Sequence, residues 1–280
     1  MNKLQQKWNF DRFYNNIPSH KNKQLISSSF LTWFIGFIEA DGCFEKDGRI
    51  NITQSSKDIQ VLYYIRTTIG FGKVINQNKN STHRWRTTLD PKIAGLLAVL
   101  FNGNLVTGSK LKKFRAWFEI WAKKSNPEFN NIIGPDFKLQ KNPLPQLMGF
   151  NNGWLSGFID GDGCWSISIS NSISTKNPSS SIRLQVAAQN DPEWVFNVMN
   201  CLNMGRREPK NSSINLKWTV SKYSDIELLI NYIEDFPHKT KKLISFSRFC
   251  KVRRRILKKE HYGKGFNKMQ TLIKSINSDH

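Results

Sequence analysis

The sequence has few acidic residues, no long apolar run and no paired cysteine motif. It contains 21 Asp and Glu against 42 Lys and Arg, which gives a formal net charge of +21 over 280 residues. A folded chain with this excess of cations is expected to bind an anionic partner, usually nucleic acid and less often a membrane surface. No apolar run approaches the ~20 residues of a membrane span, so we expect no transmembrane segment.

The cysteines and histidines do not form a recognisable metal or disulfide pattern. Cys43, Cys164, Cys201 and Cys250 lack any CxxC pairing, and the five histidines are scattered. This spacing favours neither a zinc site nor a disulfide framework. The first residues have no apolar signal-peptide core and include Asp11, so secretion is not expected.

One nine-residue pattern occurs twice. Residues 34–42 read FIGFIEADG and residues 155–163 read LSGFIDGDG, each an apolar run with a glycine followed by acid, small residue, acid and glycine. The second acids are Asp41 and Asp162. In a single copy, an acid–glycine pair that ends a helix would be the simpler interpretation. Two matched copies in a basic chain favour a shared chemical role for these acids.

Small residues in each copy indicate how the two segments meet. Gly36 and Ala40 lie four apart on one helical face, as do Gly157 and Gly161, so two such helices could approach backbone to backbone. Their C-terminal ends, with the second acids, would then lie together. Carboxylates are unfavourable at helix C-termini and repel one another. A divalent cation would relieve both effects, and oxygen ligands favour Mg²⁺, which suits phosphodiester hydrolysis.

The first acids of the two copies are expected to have a different role. Glu39 and Asp160 lie two residues earlier, which directs them away from the second acids. We therefore interpret them as polar residues of the helix interface or hydrogen-bond partners, not as metal ligands.

The repeat extends beyond the nine residues. A glycine precedes a tryptophan by 13 residues in both copies, at Gly72 and Trp85 and at Gly205 and Trp218, and a lysine then opens a basic amphipathic stretch. Hairpin, turn and helix signals give each copy the order αββαββα, so an internal duplication is expected. The fold class is α/β (α+β): two pseudo-symmetric units, each with an antiparallel four-stranded sheet, joined at the paired motif helices.

The expected division of the chain follows from this repeat. It comprises an N-terminal extension (1–29), a first unit (30–124), a linker (125–151) with four prolines and no helical period, a second unit (152–258) and a basic C-terminal tail (259–280).

The motifs FIGFIEADG and LSGFIDGDG resemble those of the LAGLIDADG homing endonucleases of the single-chain, two-motif kind. This resemblance implies that the second acids bind two or more catalytic divalent ions, normally Mg²⁺, with Ca²⁺ or Mn²⁺ able to substitute in binding. It also implies a helper glutamine at the end of the second strand and a helper lysine at the start of the last helix. The catalytic residues expected from it are Asp41, Asp162, Gln54, Gln189, Lys110 and Lys241, with the neighbours Gln185, Lys112 and Lys242 as alternatives for the glutamine and lysine positions.

Strand alternation indicates which residues would face DNA. Ile50, Ile52 and the two repeat tryptophans face the core, so their neighbours face outward. Arg, Lys, Gln and Asn read base edges, and Ser and Thr contact bases or phosphates. The expected DNA-binding residues are Arg49, Asn51, Thr53, Lys73, Gln77, Arg84, Arg86, Ser166, Ser168, Ser170, Arg183, Gln185, Arg206, Lys210, Lys217 and Thr219. A solvated sheet face is the alternative.

These expectations combine into one function. The chain is predicted to be a monomeric, Mg²⁺-dependent, intron-encoded endonuclease that makes a double-strand break in a long, asymmetric double-stranded DNA site. The alternative is an RNA-binding intron maturase, with intron RNA as partner, or a non-cleaving DNA-binding protein of the same fold. The richness in Asn, Lys and Ile indicates an AT-biased genome, and with the resemblance it predicts a mitochondrial or chloroplast location.

Overall fold

The computed structural model describes residues 7–17, 26–77, 81–170, 178–188, 191–210 and 212–278. The chain divides into two compact units, Met1–Gly161 and Asp162–His280. Within the described residues, every helix is too short or too polar to cross a membrane.

In its described residues, the first unit combines seven α-helices with one antiparallel sheet. Its helices are α1 (Asp11–Asn16), α2 (Ser28–Asp41), α3 (Ile59–Ile69), α4 (Pro91–Phe101), α5 (Gly108–Lys123), α6 (Pro127–Ile133) and α7 (Trp154–Asp162), the last of which ends on the first residue of the second unit. Its strands are β1 (Gly42–Phe44), β2 (Ile50–Ser55), β3 (Lys73–Gln77) and β4 (Thr82–Arg86), ordered β1-β2-β4-β3.

The second unit repeats the sheet and most of the helices. Its strands are β5 (Gly163–Ser170), β6 (Ser179–Ala188), β7 (Arg206–Lys210) and β8 (Ser212–Val220), ordered β5-β6-β8-β7. Its helices are α8 (Pro192–Leu202), α9 (Tyr223–Asp235), α10 (Lys242–Leu257) and α11 (Gly265–Lys274). Both sheets are antiparallel throughout, so the predicted duplicated element order and fold class are confirmed.

Local signals account for where the helices begin. The Ser27 hydroxyl accepts a hydrogen bond from the backbone N–H of Phe30 and caps α2. The Asp90 carboxylate caps α4 in the same way, with Pro91 at the first helical position. Asp191 does so for α8. Residues 30–39 of α2 are all buried, as expected for a helix packed on every side.

Glycines allow α2 and α7 to pack backbone to backbone. A Cβ atom at Gly36 would lie 2.0 Å from the carbonyl oxygen of Trp154, and one at Gly157 would lie 2.0 Å from that of Trp33. No side chain fits in either place. The predicted small-residue face is therefore confirmed for the part of α7 that belongs to the first unit.

The repeated glycine–tryptophan spacing has a structural cause in each unit. Gly72 and Gly205 have φ of +87° and +78°, and a Cβ atom on either would lie 2.4 or 2.3 Å from the indole nitrogen of Trp85 or Trp218. Each indole N–H donates to the carbonyl of the residue before the glycine, at 3.2 and 3.0 Å. The 13-residue spacing places the indole of a strand tryptophan against the turn. The residue at the turn must be glycine, because its φ is positive and the indole leaves no room for a Cβ atom.

Segments outside the predicted repeats are also folded into the units, among them α11 in the predicted C-terminal tail. The prediction that 125–151 has no helical period is wrong, because α6 begins there with Asn126 as its cap and Pro127 at its first position. Residues 7–17 also pack on the first unit, with Phe13 fully buried and Arg12 bonded to the Asp136 carboxylate at 2.7 Å. The compact units divide inside the second motif, and not at the linker, because α7 packs on α2.

Candidate functional site

The first repeated acid lies where α2 meets the sheet. Asp41 is the last residue of α2, and Gln54 lies near the end of β2 on the same side as Ile50 and Ile52. The side-chain amide of Gln54 donates to Asp41 Oδ2 at 2.7 Å. The structure thus brings together one acid and one glutamine that the sequence singled out, and the amide orients the carboxylate.

A buried lysine supports the same turn. Lys110, in the first turn of α5, is only 5% exposed. Its Nζ donates to the carbonyl oxygen of Gly42 at 2.6 Å and lies 3.4 Å from that of Ala40. The ammonium therefore binds the carbonyls on both sides of Asp41 and offsets negative charge at the C-terminal end of α2.

In the second unit the lysine equivalent to Lys110 is Lys242. Its Nζ donates to the carbonyl oxygen of Gly163, which matches Gly42, and it is 8% exposed. The predicted equivalent, Lys241, lies one residue earlier at the N-cap of α10, where its carbonyl accepts from the N–H of Ile244. The alignment through Lys241 is therefore shifted by one, because the helix begins after it.

Strand register identifies the position in the second sheet that corresponds to Gln54. Gly42 pairs with Ile52 in the first sheet, and Gly163 pairs with Val186 in the second. Gln54 lies two residues after Ile52, and the residue two after Val186 is Ala188. The register therefore matches Gln54 with Ala188 and not with Gln189. Gln189 itself lies outside the described residues.

The first acids of the motifs bind tryptophans. Trp154 Nε1 donates to Glu39 Oε2 at 2.6 Å, and Trp33 Nε1 donates to Asp160 Oδ2 at 2.8 Å. Glu39 also accepts hydrogen bonds from the backbone N–H of Val106 and from the backbone N–H and hydroxyl of Thr107, just before α5. These contacts agree with the interpretation of both acids as interface residues.

Burial controls the ionisation of Glu39. It raises the pKa of the Glu39 carboxyl to about 7, although hydrogen bonds from Thr107, Trp154 and Val106 act in the opposite direction. The four donors hold the carboxyl group between α2, α7 and the start of α5.

The outward face of the first sheet carries the residues predicted for DNA contact. Trp85 is fully buried on the inner face, and cross-strand pairing places Asn51, Arg86 and Lys73 in one row on the opposite face. Thr53 and Arg84 form the next row, followed by Gln77 on β3. Arg49 precedes β2 on the same side, where it bonds Asp47. Their predicted orientation is confirmed.

Carboxylates that sequence reasoning missed lie among these residues. The Glu45 cluster comprises Glu45, Asp47, Arg49, Asn51, Arg84 and Arg86. Glu45 accepts from Asn51 Nδ2 and from Arg86 Nε, both at 2.7 Å. Burial raises the Asp47 pKa, but hydrogen bonds from Arg49 and the charges of Arg49 and Arg86 outweigh it and lower the pKa below its usual value. Asn51 is only 5% exposed, because Glu45 covers it.

The second sheet has its own carboxylate centre, the Glu208 cluster of Gln185, Arg206, Glu208 and Thr219. Glu208 accepts from Gln185 Nε2 at 3.1 Å and from Thr219 Oγ1 at 2.9 Å, and Arg206 donates to it at 2.8 and 3.0 Å. Burial raises the Glu208 pKa, but the bonds from Arg206 and Thr219 outweigh it and lower the pKa. Thr219 is fully buried beneath this carboxylate, so its outward position does not make it accessible.

The remaining predicted contacts of the second sheet share its outward face. Trp218 pairs with Val186 on the inner face, so the alternate positions face outward. These are Ser166, Ser168, Ser170, Arg183 and Lys217. Lys210 follows an irregularity in β7, and its side chain lies outside the described residues.

A site made only of protein ligands is not found in the described part of the chain. No group of three or more His, Cys, Asp or Glu residues gathers there in a way that could hold a metal ion. Mg²⁺ needs fewer protein ligands than Zn²⁺, since it keeps several waters and binds through one or two carboxylates together with substrate phosphates.

The sequence matches one family model and several curated proteins. The family model described as LAGLIDADG endonuclease matches residues 34–121 and 155–253. A probable intron-encoded endonuclease 4 of Neurospora crassa is 29% identical over 246 residues, covering 85% of this chain and 42% of that protein. An uncharacterized cox1 intron-2 protein of Schizosaccharomyces pombe is 24% identical over 236 residues, covering 84% of this chain and 68% of that protein. The chain thus spans less than half the length of the Neurospora protein.

Solved structures share the fold. The meganuclease I-SmaMI bound to uncleavable DNA superposes with a TM-score of 0.71 at 18% identity, covering 89% of this chain and 97% of that one. The meganuclease I-AabMI bound to uncleaved DNA gives a TM-score of 0.71 at 20% identity, covering 90% and 99%.

Proposed function

We propose that this chain, which belongs to the LAGLIDADG endonuclease family, is a homing endonuclease that makes a metal-dependent double-strand break in a long, asymmetric DNA site. The observation that carries the proposal is Asp41, the second acid of the first motif, held by Gln54 at the end of a buried helix. Two motif copies with two sheets that differ at their outward positions support an asymmetric target read by one chain.

The residues present fit a hard divalent cation. Each unit supplies one half-buried motif carboxylate, Asp41 in the first and Asp162 in the second, and the side-chain amide of Gln54 donates to Asp41. Oxygen donors of this kind suit Mg²⁺, which Ca²⁺ replaces in binding. When bound, such ions would lower the pKa of a water and neutralise charge on the attacked phosphate. One of the similar structures is titled as bound to uncleaved DNA in the presence of calcium ions.

The chain's own residues would hold each motif carboxylate in place within its unit. Gln54 fixes the direction of the Asp41 carboxylate through its bond to Oδ2. Lys110 and Lys242 hold the carbonyls that follow the two acids, so each carboxylate would be presented from a rigid turn. Placing the ligands in advance reduces the reorganisation needed when the phosphate arrives.

The basic sheet faces would hold the DNA. The net charge of +21 provides sequence-independent attraction to phosphates, while Arg, Lys, Gln and Ser side chains on the outward faces supply donors and acceptors for base edges. We propose a monomer encoded within an intron, acting in a mitochondrion, because relatives carry the names of intron-encoded endonucleases and of a cox1 intron protein.

The proposal is tested by selecting cleaved duplexes from a randomised DNA library with Mg²⁺, and bound, uncut duplexes with Ca²⁺. Asp41→Asn and Asp162→Asn should each reduce double-strand cleavage at least about a hundredfold, since losing even a residue that only orients a metal ligand typically costs about tenfold to a hundredfold. Binding in Ca²⁺ should change far less.

Charge-matched controls separate this effect from a general loss of negative charge. Asp11→Asn and Asp235→Asn change exposed acids away from the motifs and should cleave like the wild type. Full cleavage by both motif variants would disprove the metal assignment. Selection of bound but never cleaved duplexes by the wild type would instead favour a non-cleaving DNA-binding protein.

A further inference from the structure

The outward face of each sheet contains a carboxylate. A surface that binds DNA would gain no affinity from a negative charge at this place. Glu45 and Glu208 lie among the predicted base-reading residues, with 16% and 24% of their side chains exposed. Each acid is bonded to one amide side chain and one arginine from the same row of the sheet. Such a carboxylate lowers affinity for any phosphate, so it needs another explanation.

The two rows are equivalent, although their acids come from different elements. In the first sheet the row runs from Asn51 through Arg86 to Lys73. In the second it runs from Gln185 through Thr219 to Arg206. Glu45 reaches the first row from the turn after β1, whereas Glu208 belongs to β7 itself.

Because duplication alone would have placed both acids at the same position, their different origins indicate that the row itself requires a carboxylate. An exposed surface ion pair would contribute little to stability, but these acids bury Asn51 and Thr219 beneath them.

We propose that Glu45 and Glu208 are positioning residues that set the specificity of DNA recognition, an inference that rests on the proposed DNA-binding function. Each bonds the amide of its row and holds the arginine of that row in one orientation for base edges, and each weakens the attraction of that arginine to phosphates in general.

The arginine geometry supports both effects. Arg86 contacts carboxylates through Nε and one terminal nitrogen. A guanidinium has five donors in a planar fork, so donors remain for the paired acceptors of a guanine. The plane of the Arg86 guanidinium, however, is fixed by its bonds to Glu45 and Asp47. A phosphate can be bound from many directions, whereas a base edge requires one, so fixing the plane favours the base.

The experiment compares Glu45→Gln and Glu208→Gln with Glu119→Gln and Glu193→Gln, which remove one exposed charge each from a helix of the same unit. Duplexes are first selected with wild-type protein in Ca²⁺. Affinity is then measured for the selected duplex and for a randomised pool, between about 50 and 200 mM salt. Thermal unfolding of every variant verifies that it is folded.

We expect each sheet variant to bind the randomised pool more tightly, with the salt slope steeper by about one, because one more cation becomes available to phosphates. The ratio of specific to non-specific affinity should fall about tenfold, comparable to the loss of one base-pair preference. Repeated selection should show that Glu45→Gln and Glu208→Gln relax different positions of the site. The helix controls should resemble the wild type.

Glu45→Asp separates charge from position. It keeps the negative charge but shortens the side chain, so we expect a wild-type salt slope together with a relaxed base preference. Unchanged ratios and slopes in both sheet variants would overturn the inference, as would equal changes in the helix controls. A wild-type protein that selects no DNA at all would instead overturn the proposed function.

Discussion

Gly157→Ala tests the close packing of α2 and α7 on which the first motif depends. In an isolated helix, alanine is about 1 kcal/mol more favourable than glycine. Here the new Cβ atom would lie 2.0 Å from the carbonyl oxygen of Trp33 and 2.9 Å from the backbone nitrogen of Phe37. Ordinary contacts between such atoms are about 3.5 Å, so the two backbones would have to separate by about 1 Å or more.

That separation would disturb the hydrogen bonds across the same helix pair. Trp154 to Glu39 spans 2.6 Å and Trp33 to Asp160 spans 2.8 Å, and all four side chains are buried. Overpacking costs about 1–3 kcal/mol, and weakening buried bonds to charged groups costs about 1–3 kcal/mol each. After the gain in helix propensity, we expect a net loss of roughly 3–5 kcal/mol in the free energy of unfolding.

Urea unfolding followed by tryptophan fluorescence measures this loss. Gly70→Ala is the matched control, because Gly70 has φ of +85° but no atom within 4 Å of an added Cβ. Its cost should be limited to the left-handed backbone, about 1–2 kcal/mol. If Gly157→Ala were as stable as the wild type, or more stable as helix propensity alone predicts, the backbone-to-backbone packing would be refuted.

Three further predictions concern other parts of the fold. Gly72→Ala and Gly205→Ala should each cost roughly 2–4 kcal/mol in urea unfolding, because a left-handed alanine would also collide with the tryptophan of its turn; near-wild-type midpoints would contradict this. Phe13→Ala should cost about 3–5 kcal/mol, since Phe13 is fully buried; a loss below about 1 kcal/mol would show that the N-terminal segment is not part of the core. Burial, with a contribution from a nearby glutamate, raises the pKa of the Cys250 thiol to about 11, so its alkylation should be slower than that of exposed Cys43 at about pH 8 and rise about tenfold per pH unit; equal rates at pH 8 would contradict this.

The regular elements were predictable because their signals are local. Alternation around Ile50 and Ile52 defined the outward face of the first sheet, and Asp-Pro pairs marked the starts of α4 and α8. The small-residue face at Gly36 indicated close helix packing without any knowledge of the partner atoms. Gln54 was expected as a helper glutamine only from the family resemblance, and the structure shows that its side-chain amide donates to Asp41 Oδ2 at 2.7 Å.

The equivalence between positions of the two repeats is set by strand pairing and by where each helix begins, and not by the nearest lysine or glutamine in the sequence. The pairing of Gly163 with Val186 moves the counterpart of Gln54 to Ala188. The first turn of α10 makes Lys242, and not Lys241, bond the carbonyl after the motif. The helix at 127–133 begins with the same cap signal as other helices, Asn126 followed by Pro127, within a segment whose four prolines are typical of a linker.

The sequence by itself determined the duplication, the order of elements and the identity of the two motif acids, since spacing and periodicity are properties of the chain. Only the tertiary structure decided which donor reaches Asp41, which residue of each copy is equivalent, and that Glu45 and Glu208 bond the outward rows of their sheets. These contacts join residues that are distant in sequence or on different strands. Their geometry depends on strand register and helix packing, and no periodic pattern along the chain encodes it.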